Sequence, residues 1–221
     1  MQETAVGQVM EELAALDDPK VREANKKRGD DHGVNLSRLR AVAKSLGRDT
    51  EVARALWVSG DTAARLLATL VSKPKDLGAR ELDAMLRQAG SPKVRDWLVN
   101  YVVKKSAHVE ELRLAWSADM DPEVAAAGWA LTAGRVATSP EGLDIPGLLA
   151  TIEARMKDAP GPLQWAMNLV LATIGIELAG YRARALEIGE RLEVLKDYPT
   201  PRGCTSPYAP AWIAGVVARR G

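Results

Sequence analysis

The sequence predicts an all-α fold, an α-solenoid in which about twelve helices stack in pairs as a superhelix. One observation is a helix opening that recurs along the chain, with a capping Asp or Ser usually followed by Pro. These openings stand at Asp18, Asp61, Ser91 and Asp121. The last three are 30 residues apart, and the first precedes Ser91 by 73 residues, about two further intervals. A repeat of this length is typical of stacked helix pairs.

Composition is the second observation. The 221 residues include 12 prolines and no phenylalanine, which favours helices separated by turns over a β-sandwich. No segment alternates polar and apolar residues long enough to predict a strand. A hydrophobic content of 47% is sufficient for one continuous core. We therefore predict a single domain over residues 1–221, with a proline-rich C-terminal tail from about residue 197 packed on the body.

Apolar periodicity and capping residues define the elements in order. The predicted helices cover residues 4–16, 19–28, 36–46, 50–58, 62–71, 77–88, 91–105, 107–117, 122–135, 148–157, 162–178 and 181–195. Residues 138–147 read as a loop, and residues 197–212 contain four prolines and show no helical period. The aromatic residues of that last segment are the reason to expect it to pack rather than to be a free linker.

The helix over residues 91–105 is the centre of this arrangement. Five apolar residues form one stripe along it: Val94, Trp97, Leu98, Tyr101 and Val102. A neighbouring stripe carries Asp96 and Asn100, four residues apart, with lysines close by. The helix is therefore expected to have one buried face and one polar, partly basic face.

Several classes of function are disfavoured by residue counts. Cys204 is the single cysteine, and His32 and His108 are the two histidines, which argues against a disulfide, a metal site and a Ser-His-Asp triad. No apolar run is long enough for a membrane span, and the acidic, amphipathic N-terminus is unlike a signal sequence. We expect a cytoplasmic monomer without cofactor, metal or membrane contact.

Charge is distributed unevenly although the net charge is only +1. Residues 19–48 hold nine basic and three acidic residues, a charge of +6, whereas residues 106–123 carry −4. This asymmetry predicts a basic surface for the phosphate backbone of double-stranded DNA, although an ordinary solvated helix face is the alternative. The candidate phosphate contacts are Arg40, Lys44, Arg65, Lys73, Lys104 and Lys105.

Two stretches resemble the AlkD-like DNA alkylation repair family of HEAT-like repeat DNA glycosylases. The first, residues 32–74, contains Gly33-Val34, Leu39-Arg40, Ala55-Leu56-Trp57-x-Ser59 and Ala64-Arg65-x-Leu67-Ala68. The second comprises DAPGPLQWAMNLVLATIG at residues 158–175 and GCTSPYAPAWI at residues 203–213. The resemblance implies a fold of HEAT-like helical repeats and binding to DNA, alkylated or distorted.

Active members of this family hydrolyse the N-glycosidic bond of cationic alkylated bases. They stabilise positive charge on the sugar with a carboxylate and pack tryptophans against the lesion's deoxyribose. Both features suit an oxocarbenium-like transition state. A cationic base leaves readily, so protonation by a general acid is not needed.

The family's active residues align only partly with this sequence. Its Trp-Asp-Leu-Val-Asp stretch matches residues 96–100, which places Asn100 at the catalytic carboxylate and Asp96 at a tryptophan. A shift by one residue brings Trp97 into place and puts Tyr101 at the carboxylate instead. The family arginine falls near Ala125–Ala126, and a later tryptophan matches Trp165. Asp96 is the acid one helical turn from Asn100.

Trp165 and Asn168 lie three residues apart on an apolar helix and are candidates for contact with a nucleotide. The alternative is that Trp165 is a core residue and that the Asn168 side chain makes a hydrogen bond to the backbone. The candidate catalytic residues are thus Asn100, Asp96 and Trp165, with Trp97 and Asn168 as further DNA contacts. Trp57, Trp116 and Trp129 lie in apolar stripes and are predicted to be core residues.

Three hypotheses follow. The first is a DNA-binding HEAT-like repeat protein of the alkylation repair family whose glycosylase activity is weakened or lost. The second is a non-enzymatic binder of distorted or branched DNA. The third is a protein–protein scaffold without DNA binding. A basic binding face separates the first two from the third, and excision of a cationic base separates the first from the second.

Overall fold

The structure, a computed structural model, describes residues 2–220, with side chains from residue 6 onward. Within this range no strand forms, and one isolated bridge joins Asp17 and Val34. The predicted all-α class is confirmed. The described residues form thirteen α-helices: α1 (Gln2–Ala15), α2 (Pro19–Lys26), α3 (Leu36–Leu46), α4 (Thr50–Val58), α5 (Thr62–Val71), α6 (Ala79–Gln88), α7 (Pro92–Trp97), α8 (Val109–Ser117), α9 (Pro122–Thr138), α10 (Ile145–Arg155), α11 (Gly161–Glu177), α12 (Arg182–Leu192) and α13 (Ala209–Arg220).

The four recurring helix openings are capped as the sequence predicts. The side chains of Asp18, Asp61, Ser91 and Asp121 each accept a hydrogen bond from a backbone N–H two or three residues later, at 2.8 to 3.2 Å. Each bond satisfies one of the free N–H groups of a helix N-terminus and contributes about 1 kcal/mol. The caps therefore fix where α2, α5, α7 and α9 begin.

The chain divides into two compact units, Met1–Leu112 and Arg113–Gly221, and each is described by itself. The prediction of one domain stays a prediction. In the first unit α5 is the central helix, packed against α1, α3, α4 and α7. It is apolar along most of its length, with Leu66, Leu67 and Val71 fully buried, which explains its central position.

The second unit is built on the two longest helices, α9 and α11, which pack against each other. Gly128 in α9 lies so close to the end of α8 that a Cβ atom would be 2.2 Å from the Ser117 backbone nitrogen. At Gly175 in α11 a Cβ atom would be 2.4 Å from Ile213 of α13. Both glycines therefore permit close helix packing that any side chain would block.

The C-terminal tail differs from the prediction. Residues 209–212 were predicted to lack helical structure, but they form the first turn of α13. Pro210 does not break this helix, because a proline in the first turn removes no intrahelical hydrogen bond. Ile213 is buried, and Trp212, Val216 and Val217 pack against the core of the second unit.

The predicted loop over residues 138–147 is also shorter in the structure. Helix α10 already begins at Ile145, because the Asp144 carboxylate accepts a hydrogen bond from the Gly147 N–H at 2.9 Å. Pro146 lies in the first turn, where proline is tolerated. The predicted core residues Trp57, Trp116 and Trp129 are all buried.

No single helix among the described residues is long and apolar enough to cross a membrane. The segments Gly161–Glu177 and Ala179–Leu192 meet the length and composition criteria only as a pair, and they are bent by 115°.

Candidate functional site

The segment over residues 91–105 is not the single regular helix that the sequence predicts. Helix α7 ends at Trp97, a π-helical turn covers Leu98–Val102, and a 3-10 turn covers Val103–Lys105. In the π-helical turn the Val103 N–H bonds back to the carbonyl oxygen of Leu98, five residues earlier. Such turns are rare and often occur at functional sites. Leu98, Val99 and Val102 of this turn are buried, and so is Val103 at the start of the 3-10 turn, whereas Tyr101 of the predicted stripe is only half-buried.

Asp96, Asn100 and Lys104 form a hydrogen-bonded row along this segment. The Asn100 Nδ2 donates to Asp96 Oδ1 at 2.8 Å and to the Asp96 carbonyl oxygen at 2.9 Å. The Lys104 Nζ donates to Asn100 Oδ1 at 2.7 Å. The Asn100 amide is therefore held between a carboxylate and an ammonium group, and it carries no charge of its own.

Trp97 and Tyr101 lie beside this row and are covered by cations. The Trp97 and Tyr101 rings meet edge to face, with centroids 5.2 Å apart. The Arg40 guanidinium lies over the Trp97 ring at 5.0 Å from its centroid and donates to the Tyr101 hydroxyl at 3.3 Å. The Lys105 ammonium lies 5.9 Å from the Tyr101 centroid. Electron-rich ring faces attract cations, so these contacts are favourable.

Arg40 also belongs to a basic depression on α3. Arg40, Lys44 and Arg48 line this shallow cavity of about 330 Å³, together with Leu70 and small residues. The Arg48 guanidinium donates to the Ser72 carbonyl oxygen at 2.9 Å. Arg48 was missing from the predicted contacts, although its spacing of four residues from Lys44 and eight from Arg40 was the signal for a shared face.

We call Arg40, Lys44, Arg48, Lys104 and Lys105 the basic cluster. All five are exposed. Arg40 links its two parts, because it lines the cavity and contacts both the Trp97 ring and the Tyr101 hydroxyl. Asp96 is the acidic residue beside it.

Two predicted phosphate contacts, Arg65 and Lys73, lie outside the basic cluster. The Arg65 guanidinium donates to the carbonyl oxygens of Trp57 at 3.2 Å and Gln88 at 2.6 Å, and it lies over the Trp57 ring. Its donors thus hold α4, α5 and α6 together. Lys73 is half-buried, next to the Ser72 carbonyl that Arg48 contacts.

Trp165 and Asn168 lie in the second unit, on α11. Trp165 is 40% exposed, and its ring meets that of Tyr198 edge to face at 5.1 Å. Asn168 is only 1% exposed, and its Nδ2 donates to the Pro207 carbonyl oxygen at 2.8 Å. A side chain this deeply buried holds the chain and offers no surface to a ligand. Ala125–Ala126, where the family arginine falls, supply no charge.

Among the described residues no group of three or more His, Cys, Asp or Glu side chains is placed to hold a metal ion. The site therefore consists of aromatic rings, an amide, one carboxylate and several cations. Such a set can bind an anion, whereas the ring face of Trp97 is covered by Arg40.

The fold and this site define a class, a helical-repeat protein with a basic, aromatic surface. The sequence matches the family described as "DNA alkylation repair enzyme" over residues 9–213. The chain belongs to that family, and the predicted membership is confirmed. No curated protein matches the sequence significantly.

Among solved structures, the chain is similar to one described as "a new family of proteins related to the HEAT-like repeat DNA glycosylases with affinity for branched DNA structures". The TM-score is 0.78 and the identity 21%, with 97% of this chain and 94% of the other covered. This likeness confirms the predicted fold of HEAT-like repeats.

Proposed function

We propose that this protein binds the phosphate backbone of DNA through the basic cluster and has lost most of its N-glycosidic hydrolysis. The observation that carries the proposal is the Arg40 guanidinium over the Trp97 ring. It places a fixed positive charge on the ring where a glycosylase would need an open, electron-rich face. A cation there repels a developing oxocarbenium ion and attracts a phosphate.

Asn100 supports the same conclusion. By the resemblance it occupies the position of the catalytic carboxylate, and its amide is bonded to the Lys104 ammonium at 2.7 Å. An amide lacks the formal charge that stabilises the transition state. Removing one electrostatic stabiliser typically lowers a rate by about two to three orders of magnitude.

The charge of the surface favours an anionic ligand. The basic cluster brings together five exposed cations, and the Asp96 carboxylate beside it is hydrogen-bonded to the Asn100 amide. Cations on such a surface bind phosphates without reading sequence. The structural relative's described affinity for branched DNA supports DNA as the ligand.

Salt-dependent binding tests this proposal. We expect labelled duplex DNA to bind at low salt, with affinity falling steeply as salt rises. The double variant Lys44→Ala/Lys104→Ala should reduce the slope of log affinity against log salt by about 1.8, because each lost phosphate contact removes about 0.9. Arg80→Ala is the control, because Arg80 is an exposed cation of the same unit outside both the cluster and the basic segment over residues 19–48.

A wild-type protein that binds no DNA at low salt would leave the protein–protein scaffold as the surviving hypothesis. Equal slopes for the control and the double variant would place binding on another surface.

A second candidate function is residual excision with Asp96 as the working acid. The observation in its favour is that the Asp96 carboxylate is exposed and lies against Asn100. Comparing Asp96→Asn with the wild type on a duplex that contains a cationic N-alkylated purine tests this candidate. Loss of a measurable excision rate in the variant would establish it.

A further inference from the structure

Trp165 and Tyr198 form an exposed aromatic pair in the second unit. Their exposed fractions are 40% and 49%, and both belong to the few large apolar side chains that the described residues leave in solvent. The rings stand nearly perpendicular, at 88°, with centroids 5.1 Å apart. An edge-to-face contact fixes one ring against the other and leaves ring faces open.

The rest of α11 and its neighbours hold Trp165 in place. Gln164, the preceding residue, donates to the carbonyl oxygens of Met156 at 3.1 Å and Lys157 at 2.9 Å. Asn168, one turn further along, bonds to Pro207 in the segment that carries Tyr198. The predicted site residue Asn168 is therefore explained as an anchor for this segment.

The turn that delivers Tyr198 has an unusual backbone. Glu193 and Leu195 are the non-glycine residues with positive φ in the described chain, at 55° and 59°. Left-handed backbone is unfavourable for these side chains and persists where surrounding contacts require it. A Lys196–Glu193 ion pair at 2.6 Å closes the turn and lowers the pKa of the Glu193 carboxyl. The turn is thus built to place Tyr198 against Trp165.

We infer that Trp165 and Tyr198 form a stacking site for an unpaired nucleobase, as found where a DNA duplex ends or is interrupted. Every nucleobase has flat faces that stack on aromatic rings, independent of sequence. In an intact duplex those faces are covered by neighbouring base pairs, so the site would distinguish interrupted from intact DNA. This inference rests on the proposed function, and it adds an unpaired base as the ligand and Tyr198 as the partner of the candidate residue Trp165.

The occupant is a base rather than a proline-rich peptide for two reasons. The chain belongs to a family of DNA repair enzymes. Proline-rich peptides dock in grooves lined by several aromatic residues, whereas Trp165 has one ring partner in the described structure, Tyr198. A peptide remains an outcome of the test.

The experiment uses the full chain and two DNA probes of equal length and charge. One carries 2-aminopurine as the first unpaired base of an overhang, and in the other the same base is paired. We expect the wild type to bind the overhang probe at least about fivefold more tightly, the lower end of what one stacked base contributes. The 2-aminopurine emission should fall on binding, because stacking quenches it.

Variants identify the residues responsible. Tyr198→Ala and Trp165→Ala should reduce the affinity ratio of overhang to paired probe to about one. Tyr198→Phe should keep the ratio, because the phenyl ring retains the edge contact. Tyr181→Ala is the matched control, because Tyr181 is an exposed tyrosine of the same unit without a ring contact to Trp165. Thermal melts of all four variants confirm folding.

Equal affinity of the wild type for both probes would overturn the inference and leave the proposed function standing, whereas binding to neither probe would overturn both. A ratio that survives Tyr198→Ala, or is lost in Tyr198→Phe, would also overturn the inference. The inference would also be overturned if a decaproline peptide bound the protein through Trp165 while the affinity ratio of overhang to paired probe did not depend on Trp165.

Discussion

Trp97 and Trp165 are the same side chain in two different surroundings. Trp97 is 5% exposed, covered by Arg40 on its face and met by Tyr101 at its edge. Trp165 is 40% exposed and has Tyr198 at its edge, and no cation of the described residues lies over its ring. Both pairs are edge to face, so the difference lies in burial and in the cation.

This difference separates two roles that the family resemblance assigns together. A ring covered by a guanidinium contributes to packing and holds a positive charge at the surface. An exposed ring fixed at its edge can stack on a flat ligand. The following predictions test the comparison, from the largest expected effect to the smallest.

Replacing each tryptophan by alanine should affect stability very differently. Trp97→Ala should lower the free energy of unfolding by about 3–5 kcal/mol, because it removes a buried side chain and leaves a cavity. Trp165→Ala should cost less, about 1–2 kcal/mol, because its ring is partly solvated but keeps the edge contact with Tyr198. Denaturant midpoints of the two variants measure this, and similar losses would contradict the assignment of Trp97 to packing.

Asn100→Asp tests how a negative charge next to Trp97 affects stability and excision. The variant places a carboxylate against Asp96 and loses the donor to two Asp96 oxygens, but these hydrogen bonds are exposed and the Lys104 contact remains, so we expect a loss of about 1 kcal/mol at pH 7. The new anion should nevertheless raise excision of a cationic N-alkylated purine above the wild-type rate. Chemical denaturation and a single-turnover excision assay provide the two readouts.

Asp96→Asn is the control for that variant. One outcome is that the wild type is active, that Asp96→Asn abolishes this activity and that Asn100→Asp adds nothing. In that case Asp96 is the working acid and the alignment at Asn100 is wrong. If all three proteins bind DNA and excise nothing, the non-enzymatic binder is supported.

The first unit should lose stability in mild acid through His32. This side chain is buried, with Nε2 3.3 Å from Asn25 Nδ2, and burial lowers its pKa below the ordinary value, against a smaller opposing effect of Asp30. Its neutral form is therefore favoured in the folded state. The resulting stability is complete above about pH 6.5 and is lost as pH falls through the lowered pKa, by at most about 1.4 kcal/mol per pH unit.

Thermal midpoints between pH 5 and pH 7.5 measure this loss. His32→Gln should make the thermal midpoint less dependent on pH in that range, whatever the effect of the substitution on the midpoint at pH 7.5. An unchanged slope would assign the acid sensitivity to other groups.

Arg40→Lys is expected to give the smallest effect. Lysine keeps the charge but loses the planar guanidinium that reaches both Trp97 and the Tyr101 hydroxyl. We expect a loss of about 0.5–1 kcal/mol in stability and nearly unchanged duplex affinity. A large fall in affinity would mean that Arg40 reads the geometry of a phosphate and does not act as a charge alone.

The sequence predicted much of the fold because its signals are local. The caps at Asp18 and Ser91 and the apolar stripe from Val94 to Val102 depend on neighbours within a few residues. The prediction was wrong at residues 209–212, where the prolines and the missing helical period indicated no helix, although Pro210 lies in the first turn of α13. It also missed the π-helical turn over Leu98–Val102, because such a turn has no clear residue signature.

For the candidate site, the sequence supplied residue types and their spacing, together with a resemblance that the family match confirms. The row from Asp96 through Asn100 to Lys104 repeats every four residues, so it follows from helical geometry. The sequence alone thus determined the helical-repeat class and the family, whereas the alignment of Asn100 with the catalytic carboxylate stays a prediction.

Only the tertiary structure decided which side chains meet across the chain. Arg40 and Trp97 are 57 residues apart in sequence, and Trp165 and Tyr198 are 33 apart, so no periodicity predicts either contact. Packing decides whether a ring is covered by a cation or open to solvent, and whether Asn168 faces a ligand or the core. The physical reason is that burial and long-range contacts depend on how helices pack, which local sequence patterns do not determine.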